Sequence, residues 1–296
     1  MCQDARKLIQ EGGWTRDLLD RDYDARATVG EGFSDEMKAY LSHSDAARAG
    51  FQAHEDVVYD PVSGQKLDIF KPDEPGGPFP VFVFIHGGYW RALSKRESAM
   101  MAGTLAKAGY ATVAIDYALA PDTRLTEILR QVRQSLAFLW NEGKAFNLDA
   151  GKIHVGGSSA GAHLAAMTLT TDWQSRFQVP SDLVKSVLLL SGLYELAPIA
   201  ASFAQDWLAL SAADVADLSP LRHLPARSGP VLVAWAEGDA PGFKRQSLGF
   251  HEAWKTAGLP GRALEIENCN HFNILLELSR DDSRLTNALV HMMQTA

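Results

Sequence analysis

The sequence predicts an α/β fold in which a mostly parallel sheet of about eight strands is flanked by helices and starts with an antiparallel hairpin. Three observations predict it. Apolar runs such as "VFVFI", "ATVAI" and "SVLLL" are continuous rather than alternating, as in strands covered on both faces. Stretches of helical periodicity separate them, which is the spacing that parallel order needs. No internal repeat or low-complexity linker divides the chain.

The elements follow in order. Residues 1–54 read as a polar helical arm or partial cap, because "TRDLLDRDY" and "SDEMKAYLSH" each begin at Thr or Ser followed by acids, as helix N-termini do. "EDVVYD" and "KLDIF", joined by the turn signal "PVSG", predict the hairpin and open a single catalytic domain over 55–296. "VFVFI" is the next strand, followed by a helix over 94–107, the strand "ATVAIDY", a helix over 125–140 and the strand "KIHV". A helix starting near Ala160 leads to "VKSVLLLSG". Residues 195–227, rich in Ala, Ser and Asp, predict a cap-like insertion over a pocket mouth. "PVLVAWAEGD", a helix over 242–257, "RALEIEN" and terminal helices complete the chain.

With 296 residues, 46% of them apolar and 22% charged, the chain can bury a substantial core. A net charge of -8 and the lack of a Lys/Arg cluster argue against a nucleic-acid partner. Cys2 and Cys269 are too few for a disulfide framework and lack metal-site spacing, which suits a reducing compartment. Charges interrupt the N-terminus, and no apolar run approaches the ~20 residues that cross a bilayer. The expectation is a cytoplasmic protein acting on a small molecule, away from membranes, with the arm offering a route to a homodimer.

In open sheets ligands sit beyond the carboxyl ends of the strands. Four stretches occupy such positions: "HGGYW", "GGSSAG", "EGD" and "CNHF". "GGSSAG" is not a phosphate cradle, because Ala162 and His163 stand where a P-loop needs Lys and Ser/Thr, and Ser158 stands where a dinucleotide fingerprint needs glycine. It fits G-x-S-x-G in one register, over 157–161, which makes Ser159 a nucleophile on a sharp strand-to-helix bend and Gly157 and Gly161 its spacers. The helix start there favours developing negative charge.

Acyl transfer needs oxyanion donors, and the backbone N–H groups of Gly88 and Tyr89, with that of Ala160 from the bend, are the candidates. His271, which alone among the histidines follows a late strand and precedes a helix, is the candidate base. Asp239 is the candidate acid in the chain order Ser, Asp, His, with Glu237 as competitor. His86 and His163 read as structural histidines and Asp116 as a loop anchor.

These motifs, together with "DRDYDAR", "LDIFKP" and "AIDYALAP", resemble the α/β-hydrolases, specifically the hormone-sensitive-lipase-like branch and its kynurenine formamidase (arylformamidase) group, from about Leu19 to the end. "HGGYW" discriminates, since general esterases of the branch carry a third glycine at the Tyr89 position. Ser158 departs from the pattern, where formamidases have His and esterases often Asp. The resemblance implies the α/β-hydrolase fold, the same triad and oxyanion positions, and hydrolysis of an N-formyl arylamine such as N-formylkynurenine with no metal and no cofactor. An aromatic leaving group implies an apolar pocket, for which Tyr89, Trp90 and Trp207 are the candidates. A carboxylesterase for short acyl or aryl esters is the alternative, and a non-catalytic ligand-binding relative is a remote one.

Overall fold

The computed structural model describes residues 14–73 and 75–296, so Cys2 and residues 1–13 of the arm lie outside the described residues. The sheet has eight strands: β1 (His54–Asp60), β2 (Gln65–Phe70), β3 (Phe79–Ile85), β4 (Ala111–Ile115), β5 (Leu148–Ser158), β6 (Val184–Leu190), β7 (Val231–Ala236) and β8 (Gly261–Ile266). Their order is β1-β2-β4-β3-β5-β6-β7-β8. β2 pairs antiparallel with both β1 and β4, and every other pairing is parallel.

The continuous apolar runs are explained by burial on two sides. In β3, Val81, Val83 and Ile85 point into one core, while Phe82 and Phe84 point into a second, where they meet Leu188, Leu232 and Leu289. The helices, in chain order, are α1 (Arg16–Asp22), α2 (Phe33–Ala49), α3 (Ala102–Lys107), α4 (Leu125–Glu142), α5 (Ala160–Thr168), α6 (Trp173–Phe177), α7 (Ala197–Ala200), α8 (Gln205–Leu208), α9 (Ala212–Asp217), α10 (Pro241–Thr256) and α11 (Arg284–Thr295). α4 shows why such helices pack on the sheet: Leu125, Ile128, Leu129, Val132, Leu136 and Leu139 form one buried stripe at helical spacing. None of the described helices is long and apolar enough to cross a membrane.

Two local expectations are corrected. The helix expected over 94–107 is a 3-10 turn, Lys95–Ser98, and then α3, because Ser94 and Glu97 close a capping box and Glu97 leaves helical φ/ψ. α2 starts after Gly32 with no side-chain cap, so Ser34 is not its N-cap. Thr15 does cap α1, accepting from the Leu18 N–H. Residues 195–227 fold as α7, α8, α9 and a 3-10 turn, Pro220–Arg222, and the stretch is pinned near both ends where Arg222 makes a two-pronged pair with buried Glu195 at 2.6 and 2.8 Å.

Charge fastens the arm to the sheet. Fully buried Asp68 on β2 accepts from the Asp56 N–H (2.8 Å) and Lys95 Nζ (2.7 Å), and Arg48 Nη1 of α2 lies 2.7 Å from its other oxygen. Asp22 of α1 pairs with Arg245 of α10 at 2.7 Å.

Asp68→Ala would remove the buried carboxylate shared by Arg48 and Lys95, leaving each with one exposed carboxylate partner, Glu55 and Asp56 respectively. It is expected to cost about 1–3 kcal/mol, the penalty for leaving buried donors without their acceptor, read as a lower urea midpoint with an unchanged slope. A second expectation concerns three buried histidines. Burial lowers His86, His154 and His163 to about 4 from 6.5. The unfolded chain therefore takes up protons below 6.5 that the folded chain refuses, so their stability is present above that pH and is lost as pH falls toward 4. His163→Gln is expected to flatten this loss by one proton's worth in urea unfolding measured at several pH values between 7 and 4.5.

Candidate active site

β5 ends at Ser158 and α5 begins at Ala160, so Ser159 alone makes the bend, at φ 57 and ψ -119. That left-handed backbone costs a non-glycine residue roughly 1–3 kcal/mol and persists only where its surroundings enforce it. They do so here by crowding. A Cβ on Gly157 would lie 2.2 Å from the Gly161 carbonyl oxygen, and one on Gly161 would lie 2.1 Å from that of Ile85 on β3. The Ser159 N–H is held by Leu190 O of β6 at 2.8 Å. The glycine spacers expected from the sequence are thus required by close backbone approach.

Asp239 follows β7 and His271 follows β8. His271 Nδ1 donates to Asp239 Oδ1 at 2.6 Å, which leaves Nε2 as the free acceptor of the ring. The second carboxylate oxygen is also engaged, by the Ala236 N–H (2.9 Å) and by Ser191 Oγ (2.6 Å), a residue just beyond β6 that sequence reasoning missed. The competitor Glu237 is exposed and accepts from the Asn268 N–H instead. Ser159 and His271 line one cavity. No hydrogen bond joins them among the described residues, a looseness common before a substrate tightens such a site.

The loop after β3 runs beside the bend, since β3 and β5 are neighbours. Gly88, Tyr89 and Trp90 have φ of 91, 50 and 56 in succession. A Cβ on Gly88 would strike the Ala92 carbonyl oxygen at 2.2 Å, so glycine is required there. The N–H groups of Gly88, Tyr89 and Ala160 enter no backbone hydrogen bond outside the regular elements among the described residues. The loop is braced from outside: Trp207 Nε1 donates to Tyr89 O (3.1 Å), the Tyr89 hydroxyl donates to Tyr23 O (2.6 Å), and the Ala120 N–H donates to Trp90 O (2.8 Å). His86 stacks on Tyr117 at 4.0 Å, and Asp116 accepts from the Lys95 N–H at 2.7 Å.

The cavity has a volume of about 470 Å³. Of the three aromatics expected on its wall, Tyr89 and Trp207 are there. Trp90 is not: it is fully buried and packs edge-on against His163, because consecutive residues of this loop point to opposite sides. His163 itself is tied to Leu218 O at 2.7 Å. Sequence reasoning missed the arm's share of the wall, which includes Arg26, Phe33, Met37 and Tyr40, together with Phe203 and Phe272. Cys269, near His271, keeps its proton, since burial pushes its thiol up to about 11.

Comparison with known proteins agrees with this architecture. The BD-FAE family profile matches residues 67–253. A kynurenine formamidase of Danio rerio is 33% identical over 262 residues, 87% of this chain and 87% of its own. A solved structure from Silicibacter sp. with a provisional thioesterase description has 27% identity and a TM-score of 0.78, covering 91% of this chain and 98% of that one. A hyperthermophilic esterase from Pyrobaculum calidifontis, at 20% identity and a TM-score of 0.72 over 95% of this chain and 96% of its own, shares the fold. The profile spans well over half of the residues and the formamidase aligns over most of them, so the chain belongs to the BD-FAE family of α/β-hydrolases.

Proposed function

We propose that Ser159, His271 and Asp239 act as a catalytic triad that hydrolyses an N-formyl arylamine such as N-formylkynurenine to formate and the free amine. The chain is a hydrolase of the esterase type, and the finer reading rests on one observation above all. A serine on an enforced bend shares a cavity with an imidazole whose Nδ1 is 2.6 Å from a buried carboxylate. The formamidase of Danio rerio, similar over most of both chains, supports the choice of substrate.

In this mechanism Ser159 Oγ attacks the formyl carbon while His271 Nε2 takes its proton. The carbonyl oxygen becomes an oxyanion facing the N–H groups of Gly88, Tyr89 and Ala160. Asp239, fixed by Ser191 and Ala236, stabilises the imidazolium. The intermediate collapses as His271 returns the proton to the departing arylamine nitrogen. Water, deprotonated by His271, then releases formate and restores Ser159. A formyl group adds only hydrogen to the acyl carbon, whereas the flat leaving group suits a wall carrying Tyr89, Phe203, Trp207 and Phe272. A carboxylesterase is the second reading, favoured by the solved structure with a thioesterase description, since esters pass through the same oxyanion.

Side-by-side kcat/KM on N-formylkynurenine and p-nitrophenyl acetate decides between them: preference for the formamide supports the first reading, and preference for the ester overturns it. Ser159→Ala is expected to lower kcat by ~10⁶ and to abolish labelling by an organophosphonate. Asp239→Asn is expected to lower kcat by ~10⁴. Ser191→Ala removes one donor to the carboxylate and is expected to lower kcat about tenfold with KM unchanged, as read in steady-state kinetics.

A further inference from the structure

We propose that Arg91 and Arg26 form an anion subsite on the cavity wall that binds a carboxylate carried by the leaving group of the substrate. This rests on the reading of Ser159 as the nucleophile and deepens it by assigning the residues that would hold the charged end of its substrate. Both residues line the cavity that holds Ser159 and His271, and both are exposed. Arg91 is rooted beside the oxyanion loop, with its N–H on Gly88 O at 3.0 Å. Arg26 closes the "DRDYDAR" stretch of the arm, a motif that the catalytic steps leave without a role.

Each guanidinium carbon sits over a ring of the same wall: that of Arg91 at 4.3 Å from the Trp207 centroid and that of Arg26 at 4.2 Å from that of Phe33. A cation over an aromatic face is held there by the ring's charge distribution and keeps its N–H groups for a further partner, such as a carboxylate that takes two parallel hydrogen bonds. Among the described residues neither side chain donates a hydrogen bond or joins an ion pair. The two carboxylates of the wall are already engaged in their own turns: Asp24 accepts from the Ala27 N–H (3.0 Å), and Glu97 accepts from the Ser94 N–H (2.9 Å) and Oγ (2.8 Å). Two cations with donors unspent on one wall, on a chain of net charge -8, make a local site for an anion rather than part of a general positive field.

The test compares two aryl acetates that share the scissile bond and differ in charge, 3-acetoxybenzoate and phenyl acetate. The readout is the ratio of their kcat/KM values, in which general damage to the site cancels. Arg91→Gln is expected to lower that ratio about tenfold through KM, Arg26→Gln/Arg91→Gln to lower it further, and Arg91→Lys to keep part of it. An unchanged ratio in the double variant overturns the subsite. If N-formyl arylamines are not turned over while the acetates are, the formamidase reading fails and the ratio still decides the subsite. If no acetate is turned over, calorimetric titration with benzoate decides: binding about tenfold weaker in the double variant supports the subsite, and equal binding overturns it.

Discussion

The site depends on a contact between two strands that are distant in sequence. β3 and β5 lie side by side, and the chain leaving β5 must turn into α5 with its backbone pressed against the end of β3, where a Cβ on Gly161 would come within 2.1 Å of Ile85 O. That pressure holds Ser159 at a positive φ it would not adopt alone. The same adjacency brings the loop after β3 alongside, close enough that a Cβ on Gly87 would lie 2.8 Å from Ser158 O. Ser159 and the backbone N–H groups of Gly88, Tyr89 and Ala160 are therefore brought together by one packing event, set by backbone rather than by side chains.

Asp239 and His271 come from the other half of the sheet, and they too are held at strand ends. Asp239 is gripped from β7 by the Ala236 N–H and from the end of β6 by Ser191, which leaves one oxygen for His271. Because the carboxylate is buried, each of these donors counts for more than it would in water. Tyr40 reaches from the arm to Phe272 O at 2.8 Å, and Asn270 donates to Glu36 at 2.6 Å, so the loop carrying His271 is steadied from outside the sheet as well.

Much of this was legible in the residues. Strands covered on both faces leave continuous apolar runs, and loops at strand ends that must bend sharply leave glycines, so the sheet, Ser159 and the loops around it could be read directly. Asp239 could be separated from Glu237 by its place beyond the strand. Other features left no such trace. Ser191 is a single serine after a strand, with no pattern around it. Trp90 and Tyr89 are adjacent aromatics, and only three successive left-handed residues decide that one faces the cavity and the other the core. Phe33, Met37 and Tyr40 stand at i, i+4 and i+7 on one face of α2, but the helix is otherwise so polar that this short stripe does not announce a cavity wall, and only the fold turns it toward the site. The split of residues 94–107 follows from a capping box that looks, in sequence, like the start of one long helix.

The arm lies outside the segment that the family profile matches, yet it supplies one side of the chamber in which the reaction would occur. The cavity wall is thus shared between loops rooted in the sheet and an arm strapped across it by a few ion pairs. Substitutions at Phe33, Met37 or Tyr40 would therefore reshape the chamber from the arm's side without touching the backbone contacts that hold Ser159 at its bend.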